Sequence, residues 1–172
     1  MVKNIFKRFS VVQWIVIVLC LIVNVFIIVN SCLPGQSSTS TSSWIVLPIK
    51  AMINAFKANT INDGNIGILT LVVRKVVGHF LLFTLSGFLT TLTFKFTYYN
   101  PSQKYWRFLI LSSISGLFLA FLTEFIQFFT PERSGEITDV LLDFFGYFIG
   151  VLVIGLITYF KRNEISNMEN QK

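Results

Sequence analysis

The stretch TEFIQFFTPERSGEITDVLLDFFGYFIG, residues 123–150, decides the fold of this chain. It contains the end of one long apolar run, a short polar connection and the start of another apolar run. Ionisable groups are costly inside a membrane and are usually retained there for function. We therefore expect the functional site where these polar residues meet the apolar runs: Glu124, Gln127, Arg133, Asp139 and Asp143.

The composition of the whole chain agrees with a membrane protein. Of its 172 residues 53% are hydrophobic and only 13% are charged, whereas a soluble domain carries about 25% charged residues. The net charge is +6, but the basic residues flank the apolar runs, as topology signals and headgroup contacts do. No basic stripe is interleaved with aromatic residues, so nucleic-acid binding is not expected.

Four apolar runs, at about residues 11–31, 76–94, 105–129 and 139–160, have the length of membrane-spanning helices. Backbone groups find no water in lipid, so the predicted fold is an all-α polytopic bundle. We divide the chain into an N-terminal tail with the first helix (1–31), an outer loop (32–74), a three-helix core (75–160) and a cytoplasmic tail (161–172). Cys20 and Cys32 lie on one predicted helix about 18 Å apart, which excludes a disulfide between them.

The orientation follows from the distribution of Lys and Arg. With the N-terminus inside, nine basic residues lie on the inner side and five on the outer side, so both termini are predicted to be cytoplasmic. The predicted localisation is the bacterial cytoplasmic membrane. The first apolar run is longer than the core of a secretory signal, and we expect it to remain as a membrane anchor.

The outer loop divides into two parts by composition. Residues 35–43, GQSSTSTSS, predict a flexible linker. Residues 43–56 have an apolar face at helical spacing, which predicts an interfacial helix with Trp44 at the headgroup level. A lid over the polar site is an alternative role for this helix.

The polar residues of the last three spans share one depth. His79, Glu124 and Asp143 each lie about one turn inside the predicted outer boundary, at ~6–8 Å. Their helices also carry small or polar faces that favour close packing. These faces comprise Lys75, His79, Ser86 and Thr90; Ser112, Gly116, Ala120 and Glu124; and Asp139, Asp143, Gly146 and Gly150.

Several structural roles compete with a functional one. Arg133 is expected to pair bidentately with Glu124 or Asp143, or else to bind an anionic ligand. Thr138 or Asp139 is expected near the cap of the fourth helix, and His79 is either a packing residue or a base. One His with several carboxylates suits zinc or manganese, but no paired-histidine motif is present, so we predict no metal and no cofactor.

At these residues the chain resembles the VanZ-like family of bacterial membrane proteins. The resemblance covers about residues 74–159 and rests on the following positions: Lys75, His79, Phe80, Glu124, Gln127, Pro131, Arg133, Asp139, Val140, Gly146 and Gly150. The chain departs from the family pattern at Glu132, where the family has Gly, and at Asp143, where it has Asn.

This resemblance implies a link to glycopeptide resistance, of the teicoplanin type more than vancomycin. The first hypothesis is a non-enzymatic envelope factor whose outer pocket binds a lipid headgroup or a lipid-linked envelope precursor. Its ligand-binding residues would be Lys75, His79, Glu124, Gln127, Arg133, Asp139 and Asp143. The alternative is an intramembrane hydrolase or transferase acting on a lipid-linked phosphate, with His79, Glu124, Arg133 and Asp143 as catalytic residues. In a third hypothesis the polar set only fixes the helix register.

Overall fold

The computed structural model describes residues 10–98 and 106–169 of the chain. The described residues form helices joined by short connections, and no strand occurs among them. The helices are α1 (Val11–Cys32), α2 (Gly35–Phe56), α3 (Ile66–Val73), a π-helical segment (Arg74–Leu81), α4 (Leu82–Tyr98), α5 (Trp106–Phe128) and α6 (Ile137–Glu169). The segments α3, π and α4 follow one another directly as one long helix, Ile66–Tyr98.

Four helices are long and apolar enough to cross a membrane: Val11–Cys32, Ile66–Tyr98, Trp106–Phe128 and Ile137–Glu164. The prediction of an all-α bundle with four transmembrane helices is therefore confirmed. The helix α1 begins with a capping box, in which Ser10 and Gln13 bond to each other's backbone N–H through their side chains. This arrangement satisfies two N–H groups that would otherwise lack partners at the helix start.

Two boundaries differ from the sequence-based expectation. Residues 35–43 were predicted as a flexible linker, but the backbone is helical from Gly35 onward, so that prediction is wrong. The Gly35 N–H donates to the Pro131 carbonyl oxygen at 3.3 Å and attaches the start of α2 to the α5–α6 connection. At the C-terminal end, α6 continues to Glu169 as a helix beyond the apolar run.

The α4–α6 contact is close because glycines face the neighbouring backbone. A side chain at Gly146 would collide with the carbonyl of Phe80, and one at Gly150 with the backbone of Thr84 and Phe88. The Gly-x-x-x-Gly pair of α6 thus allows the two helices to approach as the sequence predicts.

The bundle buries a small core and exposes its large apolar side chains. The core comprises Ile27, Phe83, Leu119, Ala120, Tyr147 and Val151. The outer faces carry exposed aromatic residues, including Phe118, Phe121 and Phe128 of α5. Extensive apolar exposure is expected where the surrounding solvent is lipid. The helix α1 packs on α4 and α5, so it belongs to the bundle and adds a wall to the site.

Candidate functional site

Most of the predicted site residues come together at the end of the bundle where α5 joins α6. His79, Glu124, Gln127, Asp139 and Asp143 are all buried there. They originate from the π-helical segment, from the last turns of α5 and from the first turns of α6. The predicted convergence of three helices at one level is therefore present in the tertiary structure.

The π-helical segment places the side chains of Arg74 and His79 on the same side of one helix. In an α-helix, residues five apart point about 140° away from each other, since each residue turns by about 100°. The i→i+5 pairing of a π-helix brings such residues into register. Arg74 and His79 are five apart, and both line one cavity. π-Helical turns are frequent at functional sites.

His79 lies between two buried carboxylates. Its Nδ1 is 3.0 Å from Oδ1 of Asp143 and 3.8 Å from Oε1 of Glu124. One donor atom from each of the three residues lies within 4.8 Å of the other two. We call these three residues the acidic trio. A hydrogen bond between Nδ1 and a carboxylate fixes the ring orientation and the tautomer of the imidazole.

Glu124 is held in place through both of its oxygens. The side-chain amide of Gln127 donates to Oε1 at 3.0 Å, and the backbone N–H of Glu136 donates to Oε2 at 3.1 Å. The second bond ties the end of α5 to the residue immediately before α6. Both predicted residues of the Glu-x-x-Gln pair thus act together, with Gln127 positioning the carboxylate.

Lys75 and Asp139 form a separate ion pair beside the acidic trio. The ammonium group of Lys75 contacts Oδ1 of Asp139 and lies 3.5 Å from Oε2 of Glu136. We expected both Lys75 and Asp139 to bind a ligand, but in the structure the two side chains form an ion pair with each other. Since α6 begins at Ile137, Asp139 lies in its first turn. A negative carboxylate there also interacts favourably with the helix dipole.

The expected pairing of Arg133 with Glu124 or Asp143 is wrong. Arg133 makes no ion pair in the described part of the chain, and its Nε and Nη2 are buried there without a hydrogen-bond partner. Both oxygens of Glu124 already accept hydrogen bonds, from Gln127 and Glu136. Oδ2 of Asp143 has no partner among the described residues, so the position of the Arg133 side chain, and not a lack of acceptors, prevents the expected pairing.

The guanidinium group of Arg133 instead lines a small polar cavity of about 30 Å³. We call it the cationic cavity; its walls include Asn30, Ser31, Arg74, Gly78, His79, Gln127 and Arg133. Within residues 10–98 and 106–169, Arg74 likewise makes no ion pair. Burial lowers the pKa of Arg133 below its usual value, and the like charge of Arg74 lowers that pKa further, while Glu124 opposes the change.

Sequence reasoning missed three residues of this cavity. Arg74 was not assigned a role because a period of 3.6 residues placed Lys75 with His79. Asn30 and Ser31 were missed because the first helix was assigned only an anchoring role. The adjacent polar residues in the last turn of α1 were the available signal. The site therefore has two neighbouring parts, the cationic cavity and the acidic trio, and His79 belongs to both.

Such a site combines three chemical capacities. Two guanidinium groups with free donors bind an oxyanion such as a phosphate or a carboxylate. An imidazole oriented by a carboxylate accepts or delivers a proton. One imidazole nitrogen and two carboxylate oxygens are a ligand set for a divalent metal ion.

No significant match to this chain was found among curated proteins or among solved structures. A family model does match it: the VanZ/LLP1 model covers residues 14–158, which is most of the chain. The match extends the sequence-based resemblance to include the first helix, in agreement with the packing of α1 against α4 and α5. This protein is thus a membrane protein of the VanZ/LLP1 family.

Proposed function

We propose that this protein is an envelope factor that binds the anionic headgroup of a lipid or of a lipid-linked precursor in the cationic cavity. It would act at the outer leaflet of the bacterial cytoplasmic membrane, with both termini in the cytoplasm. By occupying or sequestering such a headgroup it would alter sensitivity to glycopeptide antibiotics of the teicoplanin type. The family membership supports the link to resistance, and the cavity supports the ligand class.

The single observation that carries this proposal is that Arg133 and Arg74 line one cavity and make no ion pair among the described residues. Buried donors of a guanidinium normally have partners, because an unsatisfied polar group in a low-dielectric site is costly. Arg133 has two buried nitrogens without a partner in the described residues, and Arg74 faces the same cavity. A bound phosphate oxygen would accept from these donors and offset the mutual repulsion of the two positive charges.

The size of the cavity defines how such a ligand would sit. A volume of about 30 Å³ accommodates roughly two water-sized groups. It therefore admits oxygens of one phosphate or carboxylate, and the rest of the headgroup would lie outside. An apolar groove of about 170 Å³ opens next to Glu124, with Phe121, Phe125 and Phe128 in its walls. It shares no lining residue with the cationic cavity, so we assign it no part of the ligand.

Binding is tested with the full-length protein in lipid nanodiscs and a short-chain polyprenyl phosphate as the probe. Arg133→Gln and Arg74→Gln should each weaken binding by about tenfold or more, since a charge-assisted hydrogen bond contributes about 1.5–3 kcal/mol. Arg107→Gln removes the same charge from the first turns of α5 and should leave the affinity unchanged. Equal affinity of all three variants would refute the cavity as the binding site.

The resistance phenotype is tested in cells that express the chain at matched membrane levels. Arg133→Gln should abolish any increase in teicoplanin resistance that the wild-type chain confers, whereas Arg107→Gln should retain it. Retention of the phenotype by Arg133→Gln would separate the resistance from the cavity.

A second candidate function is an intramembrane hydrolase or transferase for a lipid-linked phosphate. The observation that favours it is the pairing of His79 with Asp143 at 3.0 Å in the wall of the cationic cavity. Such a pairing activates an imidazole as a general base or a nucleophile, and the two guanidinium groups would stabilise charge on the phosphate in the transition state. Phosphate release from a polyprenyl diphosphate, lost in His79→Ala, would support the enzyme. Binding without turnover would support the envelope factor.

A further inference from the structure

The acidic trio brings two buried carboxyl groups to one imidazole, and in the described residues neither carboxyl group pairs with a Lys or Arg side chain. Glu124 is 4% and Asp143 is 0% exposed, and both lie within membrane-spanning helices. The nearest ammonium group, on Lys75, is paired with Asp139 and Glu136. Arg133 makes no ion pair among the described residues. With both carboxyl groups ionised, the trio would carry a net negative charge even with a protonated His79.

A second observation concerns the unused oxygen of Asp143. Its Oδ1 contacts His79, but its Oδ2 is buried and makes no hydrogen bond to the described residues. Buried carboxylate oxygens normally accept hydrogen bonds or coordinate a metal. The fully buried carboxylate thus has a free lone-pair donor beside the imidazole.

The distances are close to those around a coordinated ion. Nitrogen and oxygen ligands bind zinc at about 2.0–2.2 Å, which places adjacent ligand atoms about 2.8–3.6 Å from each other in octahedral or tetrahedral geometry. The observed separations from Nδ1 of His79 are 3.0 Å to Asp143 and 3.8 Å to Glu124. All three donor atoms lie within 4.8 Å of one another, so small side-chain movements would complete a coordination shell.

We propose that His79, Glu124 and Asp143 bind one divalent transition-metal ion of the zinc or manganese type. The charge of the ion would neutralise the two carboxylates, and metal bonds would replace the hydrogen bond between His79 and Asp143. Gln127 and the backbone N–H of Glu136 would orient Glu124 from outside the coordination shell. Three protein ligands leave at least one coordination position for water or another ligand, as in metal sites that exchange ligands.

The chain offers a sequence-level reason why this site escapes motif recognition. Its three ligands come from three helices, separated by 45 and 19 residues along the chain (124 − 79 and 143 − 124). No short spacing such as a paired-histidine motif is therefore present. The missing motif led to the expectation of no metal, whereas the arrangement of the three side chains favours a metal site. This inference is independent of the proposed binding of an anion by Arg74 and Arg133.

The test uses the full-length protein with a tag that contains no histidines, purified in detergent and depleted with a chelator. Zn²⁺ and Mn²⁺ are then titrated separately, and bound metal is measured by mass spectrometry, with manganese also followed by electron paramagnetic resonance. The wild type should bind about one ion per chain and unfold at a higher temperature with the ion than without it.

His79→Gln, Glu124→Gln and Asp143→Asn should each lose at least tenfold in metal affinity, the lower bound expected for removal of a ligand. Asp63→Asn is the control, since it removes an exposed carboxylate outside the site and should retain binding. If the folded wild type binds neither Zn²⁺ nor Mn²⁺, the proposal is overturned. This outcome does not depend on whether the variants fold. Equal loss in Asp63→Asn would likewise overturn the assignment of ligands. Phosphate binding through Arg133 is measured on the same samples, so failure of one proposal is distinguishable from failure of the other.

Discussion

Glu132 occupies a backbone conformation that suits glycine. Its φ angle is 61°, in the left-handed region that costs an L-residue roughly 1–2 kcal/mol. The VanZ-like pattern that this stretch resembles usually has Gly at this position, and the backbone geometry supplies the reason. The connection must turn sharply here to carry Arg133 back toward the cationic cavity.

Glu132→Gly should therefore be more stable than Glu132→Ala by about 1 kcal/mol through relief of this strain, since both variants lose the contacts of the carboxylate. The measurement is thermal or denaturant unfolding in detergent. Glu132→Ala removes the carboxylate but keeps the β-carbon, so it should keep the strain. Equal stability of the two variants would show that the φ angle is not responsible.

The ion pair between Lys75 and Asp139 shows how burial changes the contribution of an ion pair to stability. The side chain of Lys75 is 30% exposed and that of Asp139 only 9%. A double-mutant cycle with Lys75→Met and Asp139→Asn should give a coupling energy of about 1–2 kcal/mol. The pair Lys50–Asp63, at 3.4 Å with a fully exposed carboxylate, should show a much weaker coupling. Equal coupling in the two pairs would argue against burial as the cause.

At the scale of the helices, the π-helical segment and the α6 glycines have complementary effects. The π-helical segment brings Arg74 and His79 to the same side of one helix. The glycines let α6 lie directly against this helix, because Gly146 faces the carbonyl of Phe80 at the last turn of the segment. The distance from His79 to Asp143 depends on that close approach.

Gly146→Ala should consequently destabilise the bundle by about 1–3 kcal/mol, the usual cost of overpacking a tight contact. The added β-carbon meets the rigid backbone of Phe80, so α6 must move away from the π-helical segment. Gly155→Ala is the control on the same helix, since a β-carbon there contacts only the flexible side chain of Leu109 at 3.3 Å. Thermal unfolding compares the two variants, and equal stability would contradict the proposed role of the Gly146 contact.

At the scale of the whole molecule, the charge distribution predicts the orientation in the membrane. Single cysteines at Ser134 and Asn163, in a chain with Cys20 and Cys32 replaced by Ser, test this prediction with a maleimide that does not cross membranes. Ser134→Cys should react in intact cells, and Asn163→Cys only after permeabilisation. Both positions are exposed, so access to the reagent depends on the side of the membrane. Reversed labelling would place the cationic cavity on the cytoplasmic side and refute the proposed site of action.

Much of this architecture was predicted from the sequence, because a segment that crosses lipid must be an apolar helix of about 20 residues. Apolar runs of the right length predicted four spanning helices, and small-residue spacing predicted that α5 and α6 bury the faces containing Gly116 and Gly146. The helical start of α2 was not predicted, since the Ser/Thr-rich composition of residues 35–43 resembles a linker. Its helix is anchored by a contact between Gly35 and Pro131, almost a hundred residues apart.

The sequence by itself determined the helices, their polar faces and the level at which His79, Glu124 and Asp143 lie, because these properties depend on local periodicity and hydrophobic length. Only the tertiary structure decided the partners. It paired Lys75 with Asp139, left the buried nitrogens of Arg133 without partners among the described residues, and added Arg74 and Asn30 to the cavity. Partner choice depends on helix rotation and on competition among nearby donors and acceptors, and a π-helical turn changes that rotation in a way that a period of 3.6 residues does not reveal.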